Sequence, residues 1–179
     1  MKARSYQRRV FKKALKPNIL CYQDLNLTTD EIKEAFRVTD IDLSNALLHD
    51  LKNMQKATNL GSLIIPHSSY AELEKVADII QSKSKTNDAF LAYGLEQLSF
   101  ALNQLVPLSK KYHCVVDNPP YMGGGNMNKA LSDFVKVNYP ASKADLMACF
   151  MEAGLKTLLP KGFLGMINQH SWMFLSSYE

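Results

Sequence analysis

The stretch YHCVVDNPPYMGGGN, residues 112–126, changes character three times in fifteen positions. Residues 112–116 are a short apolar run, which predicts a buried strand. Two prolines then fix two φ angles and remove two backbone donors. Three glycines follow, so rigid chain passes at once into loose chain. Downstream, Ser142 and Asp145 open a predicted helix in which Leu146, Cys149, Phe150 and Ala153 share one face. Pro160-Lys161-Gly162 reads as a turn, and residues 163–167 as a second buried strand ending at Asn168. Strand, loop, helix, strand is the pattern of a βαβ unit in a parallel α/β sheet.

In such a sheet, ligands bind beyond the carboxyl ends of the strands, and Asn118 falls at one of those ends. The loop there is rich in acceptors. It offers the Asn118 side-chain oxygen and the Pro119 carbonyl, with Pro120 shaping the turn and Tyr121 adding a flat face. This set suits a planar ring bearing an exocyclic amine. Each acceptor takes one N–H, and Tyr121 stacks on the ring. Such an amine is a poor nucleophile because its lone pair is delocalised. Holding both hydrogens favours a more tetrahedral nitrogen and aims the lone pair at an electrophile. The plainer alternative is a strand-terminating turn with a packed tyrosine.

Working outward, Thr28 and Glu31 have capping-box spacing, as do Ser69 and Glu72. Residues 43–57 predict a helix, and Leu73, Val76, Ala77 and Ile80 predict another. Residues 61–66 and 81–87 read as loops. Leu91, Leu95, Leu98, Leu102 and Leu105 alternate steps of four and three. That run predicts a helix packed within its own domain or in a hairpin, in preference to a coiled coil. Residues 1–15 predict a basic helix with a sparse stripe of Tyr6, Val10, Phe11 and Leu15, stopped at Pro17, and residues 19–22 a short strand before Asp24. The net charge of +4 is concentrated in that basic stretch, which reads as a solvated face or a nucleic-acid contact.

The bulk numbers exclude several classes. Hydrophobic residues make up 46% and charged ones 21%, so a packed core is affordable. No apolar run reaches spanning length, and no secretory signal is expected. Three distant cysteines imply no disulfide framework, which fits a reducing cytoplasm. His49, His67, His113 and His170 stand apart from one another and from the cysteines, so no metal site is expected. His113 reads as a core or edge residue, and His170 and Trp172 as possible cleft lining. The serines show no nucleophile elbow. Glu152 and Lys156 are spaced as a helix surface pair.

NPPY after a hydrophobic strand resembles motif IV of the amino-methyltransferases that use S-adenosylmethionine. The wider match is VVDNPPYMGGGN followed by YPASKADLMACFMEAGLKTLLPKGFLGMINQHSWMFLSSYE. It resembles the adenine-specific DNA methyltransferases of phage-exclusion (BREX, PglX-type) systems, relatives of the fused type IIG restriction-modification enzymes. DLKNMQKATNLGSLIIP and KPNILCYQDL continue the likeness more weakly.

The resemblance implies an α/β fold: part of a class I, Rossmann-like methyltransferase sheet with a helical insertion. Residues 1–24 would end the cofactor-side half, 25–111 form the mostly helical insertion, and 112–179 the catalytic half. It implies that Asn118, Pro119 and Tyr121 hold a flipped adenine, with Pro120 in the turn, on double-stranded DNA. Asp24 resembles the motif III acid near the cofactor's adenine. Asp145 and residues 163–168 resemble motif V and the strand after it. Other defence-system subunits are possible partners, and the cytoplasm is the expected location.

The family's upstream strand and DPACGSG-like loop, which wrap the cofactor's methionine part, have no counterpart before Asp24. Gly123-Gly124-Gly125 lacks G-x-G-x-x-G spacing and has no helix directly after it, so it reads as a flexible substrate-side loop or simply a long turn. The chain is therefore expected to be an internal piece with an incomplete S-adenosylmethionine site and little activity alone. Two rival readings stay open. NPPY also occurs in methyltransferases of protein glutamine and of RNA guanine, and the chain is alternatively a non-catalytic nucleic-acid-binding remnant.

Overall fold

The computed structural model describes residues 18–174. The predicted basic helix and its stop at Pro17 lie outside them. The helices are α1 (Thr29–Thr39), α2 (Asn45–Met54), α3 (Ala57–Leu60), α4 (Tyr70–Lys83), α5 (Ala89–Leu108), α6 (Lys129–Asn138) and α7 (Leu146–Lys156). The strands are β1 (Tyr112–Asp117) and β2 (Leu158–Met166). No helix among the described residues is long and apolar enough to cross a membrane.

Capping chemistry sets the helix starts. At α1 the capping box is complete: Thr28 N donates to Glu31 Oε2 at 2.7 Å and Glu31 N to Thr28 Oγ1 at 3.3 Å. At α4 only half of it forms. Ser69 caps the backbone of Glu72, but the Glu72 carboxylate accepts from Ser44 Oγ at 2.8 Å and so braces α2 instead. The helix predicted over residues 43–57 breaks after Met54, because Lys56 leaves helical geometry and α3 starts afresh. The segment laid across that break supplies the replacement contacts. Asp24 Oδ1 accepts from Thr58 N, and Gln55 Nε2 donates to the Leu27 carbonyl.

Leu95, Leu98, Leu102 and Leu105 are buried, and α5 packs antiparallel in sequence order against α4 as a helix hairpin. Leu73, Val76, Ala77 and Ile80 are buried from the α4 side. With Phe36, Leu47, Leu51 and Ile64 they form one core with the later helices. Helix α4 runs to Lys83, into the predicted loop.

Residues 19–22 are not a strand. A strand needs a ladder partner, and this segment is held otherwise: Gln23 N donates to the Gln104 side chain and Leu25 N to the Met54 carbonyl. Ile19 stays exposed.

β1 and β2 pair in parallel, with Val115 opposite Leu164 and Asp117 opposite Met166. The strand–helix–strand expectation holds, with an additional helix, α6, inside the connection. Its signals were an Asn128 N-cap and the i, i+4 pair Leu131 and Val135, both buried. The predicted Pro160-Lys161-Gly162 turn is absorbed into β2 as an irregularity. Between paired positions 112/158 and 114/163, β1 advances two residues and β2 five. Lys161 takes φ 64° there.

Neither strand is buried as predicted. Helix α7 covers only the face carrying Val115 and Leu164. Gly154 makes that approach possible, since a Cβ on it would lie 2.9 Å from Leu164 Cδ1. Val116 and Phe163 point to the other face and are 81% and 76% exposed. A parallel sheet reads as apolar throughout because both faces are ordinarily covered; here one is open among the described residues. His113 is exposed at the strand, so it is an edge residue and not a core one.

Candidate active site

Asn118 lies one residue beyond β1, and Ile167 one beyond β2, so both stand at the carboxyl end of the parallel pair. The two ends are tied together. Ile167 N donates to the Asp117 carbonyl at 3.2 Å, and Tyr121 Oη donates to the Ile167 carbonyl at 2.8 Å. The tyrosine is thus anchored by its hydroxyl and remains 44% exposed. An anchored ring of this kind presents a flat surface at little further entropic cost. Pro119 is buried and Pro120 exposed, so the diproline wedges one ring into the protein. The Asn118 side chain is exposed and makes no hydrogen bond among the described residues.

The glycines are not a loose loop. Gly123 bridges Asp145, Gly124 N donates to the Ala144 carbonyl at 2.8 Å, and Leu146 N donates to the Met122 carbonyl at 2.9 Å. Residues Gly124–Asn126 form a 3-10 turn, and α6 starts only three positions later. Of the two readings of the glycines, the structure has the turn, with α6 following after a short gap. None of the three glycines has positive φ, and a Cβ on Gly123 or Gly125 would meet nothing within 4 Å. The same stitching brings Asp145 beside the loop, where its carboxylate caps α7 through Met147 N at 2.8 Å.

Asp24 is placed differently. Its Oδ1 accepts from both Thr58 N (2.8 Å) and Thr58 Oγ1 (2.9 Å), which makes it the cap of α3. One carboxylate oxygen remains for any other partner. Beside β1 runs an open groove of about 320 Å³, lined by Asn18, Leu20, Tyr22, Val115, Val116 and Phe150 among others. Asp24 is not among its lining residues. These residues do not amount to a complete site for S-adenosylmethionine. Burial pushes the Tyr22 hydroxyl above its ordinary pKa, with Tyr112 adding to the effect, so Tyr22 offers the groove a neutral hydroxyl.

One residue at this end of the sheet escaped sequence reasoning. Asn168 was read only as the end of a strand, yet its Oδ1 is buried and has no partner among the described residues. Its signal was symmetry: an asparagine follows each of the two parallel strands. His170 lies in a short turn, His170–Met173, close in sequence to the same end. The expected Glu152–Lys156 pair is present at 2.7 Å and also receives Ser142 Oγ.

The histidines require a correction. His49 and His67 are not isolated from each other: their rings stack with centroids 4.2 Å apart, next to Asp50. The residues are eighteen apart in sequence, and only the return of the 61–69 connector over α2 joins them.

Comparison with known proteins agrees with the family resemblance of the sequence. The model of the Eco57I restriction-modification methylase family matches residues 33–179. The whole chain is 36% identical to a protein of Lacticaseibacillus casei (strain Zhang) named adenine-specific methyltransferase PglX, and covers 15% of it. It is 32% identical to one of Escherichia coli O9:H4 (strain HS) named adenine-specific methyltransferase BrxX, and covers 17% of it. The chain thus spans about a sixth of the length of these curated relatives.

Proposed function

Since the chain belongs to the Eco57I restriction-modification methylase family, we propose that it is the substrate-holding part of an adenine-N6 DNA methyltransferase. The observation that carries this reading is the Asn118 amide, exposed and unbonded at the carboxyl end of a parallel strand, beside an anchored Tyr121. Asn118 Oδ1 and the Pro119 carbonyl accept the two amine hydrogens of a flipped adenine, Pro120 sets the turn, and Tyr121 stacks on the base. S-adenosylmethionine supplies an electrophilic methyl group when bound. By holding both amine hydrogens, the chain's own residues favour a more tetrahedral nitrogen with its lone pair turned away from the loop.

The partition is part of the same reading. Residues 1–24 end the cofactor-side half of a class I, Rossmann-like methyltransferase domain, 25–111 are its mostly helical insertion, and 112–179 form the catalytic half. Asp24 contributes one carboxylate oxygen near the cofactor's adenine. The residues described around Asp24 do not make a complete cofactor site. The isolated chain is therefore expected to show little turnover. Its substrate is double-stranded DNA in the cytoplasm, within a phage-exclusion or restriction-modification system whose other subunits are its partners.

The test is a graft. These 179 residues replace the matching segment of the Lacticaseibacillus casei relative, and N6-methyladenine is measured on DNA. The graft is expected to methylate, and Asn118→Ala within it to lose at least about a hundredfold in rate, the loss typical of a removed transition-state contact. A folded Asn118→Ala graft with unreduced rate would sink the assignment of the loop. Methyl transfer to glutamine peptides in place of DNA would move the substrate to protein amides.

A further inference from the structure

We infer that His49, Asp50 and His67 form a binding site for a first-row divalent cation, with zinc the best chemical fit. One donor atom from each of the three residues lies within 4.8 Å of the other two. Zinc holds nitrogen and oxygen donors at about 2.0–2.2 Å in a tetrahedron, which brings donors roughly 3.3–3.5 Å apart. The three groups therefore need to close by about an ångström around an ion. The donor set, two imidazoles and one carboxylate, is too poor in oxygen for calcium or magnesium and suits zinc and its neighbours.

The carboxylate gives the first physical reason. Asp50 sits on α2 and is fully buried. Its two oxygens accept backbone N–H bonds from His67 and Ser68, each at 2.9 Å. Each oxygen keeps a free lone pair. The nearest charge partner is His49 Nδ1, at 3.6 Å. A buried carboxylate is ordinarily paired with a full cation or coordinates a metal. The same two N–H bonds fix the backbone of His67 against Asp50, so one ligand positions another before any ion arrives.

Ser68 gives the second, independent reason. It is 4% exposed, and its Oγ has no hydrogen-bond partner among the described residues. Its own N–H is bound to Asp50, so the orphaned hydroxyl belongs to the immediate surroundings of the carboxylate. Buried hydroxyls without partners are uncommon, and a metal-bound water or a reoriented ligand would satisfy this one.

The ring geometry shows what binding requires. His49 and His67 stack at 2° between planes. Parallel rings direct their lone pairs side by side, so one ring has to turn for both to reach a single ion. His67 is exposed and free to turn. It also lines a cavity of about 140 Å³ with Asn53, Tyr139 and Lys156, so its ring has open space on that side. The Lys156 charge there is offset by Glu152 at 2.7 Å. Bound metal would clamp α2 to the connector before α4, so it acts on the helical region and not on the amine-holding loop.

The test uses the untagged full chain, purified with a chelator and dialysed. Zinc affinity is measured by competition with a chromophoric chelator, and cobalt binding by visible absorption. One equivalent is expected to bind, with a four- or five-coordinate cobalt spectrum and a raised Tm. His49→Asn and His67→Asn are each expected to weaken binding at least tenfold with unchanged circular dichroism, while His113→Asn leaves it intact. Absence of saturable zinc binding overturns the inference. So does affinity unchanged in both folded variants, or affinity lost instead in Cys21→Ser or Cys114→Ser.

Discussion

At the residue scale, the loop after β1 shows why a short motif is readable without neighbours. Asn118, Pro119, Pro120 and Tyr121 carry properties of their own that need no neighbour: an amide oxygen, two fixed φ angles and a ring. The anchor of that ring was not readable, because Ile167 is 46 positions away and only the parallel pairing of β1 and β2 brings its carbonyl to the Tyr121 hydroxyl. Gly162 is a similar case. In sequence it marks a turn; in the fold a Cβ there would lie 2.9 Å from the Leu159 carbonyl oxygen and 3.1 Å from that of His113. Both are backbone atoms and cannot step aside. Gly162→Ala is expected to destabilise the chain by about 1–3 kcal/mol, as overpacking does. Urea unfolding checks this, and an unchanged midpoint would contradict the tight approach.

At the element scale, capping and periodicity placed most helices correctly, because both act within one or two turns. The exceptions arise where another part of the chain intervenes. The helix predicted through Ala57 is interrupted where Asp24 and Gln55 bridge to the 24–27 segment, and the Ser69 box is half-made because Ser44 competes for Glu72. Helix α7 carries a pH-dependent contribution. Burial pushes the Glu152 carboxyl up, but hydrogen bonds from Lys156 and Ser142 outweigh it and hold the pKa below its ordinary value. A lowered folded-state pKa gives stability that is present above the unfolded value, about 4.3, and is lost as pH falls through the folded one. Wild-type chain should therefore exceed Glu152→Gln in urea midpoint at pH 7, and the gap should close below about pH 4. A gap constant from pH 7 to 3 would mean that the carboxylate charge contributes nothing.

At the scale of the whole molecule, the helices share a closed core while the sheet keeps one open face. Val116 and Phe163 stand on that face, and β1 has an edge with no partner among the described residues. Exposed apolar faces and bare edges promote association. The isolated chain is expected to self-associate with rising concentration, and Val116→Lys with Phe163→Lys to shift it toward monomer in light scattering. A wild-type chain that stays monomeric at high concentration would count against this.

The sequence by itself determined most helix starts, the parallel βαβ unit and the residue types of the loop after β1, since each rests on local propensity, capping or residue type. Tertiary structure alone decided what depends on distant segments meeting. It stitched the glycines to the start of α7, set Asp24 on the backbone of Thr58, and left one sheet face open among the described residues. It also brought His49 and His67 together over Asp50. Contacts across tens of residues have no periodicity to announce them; they follow from which surfaces find cover when the core closes.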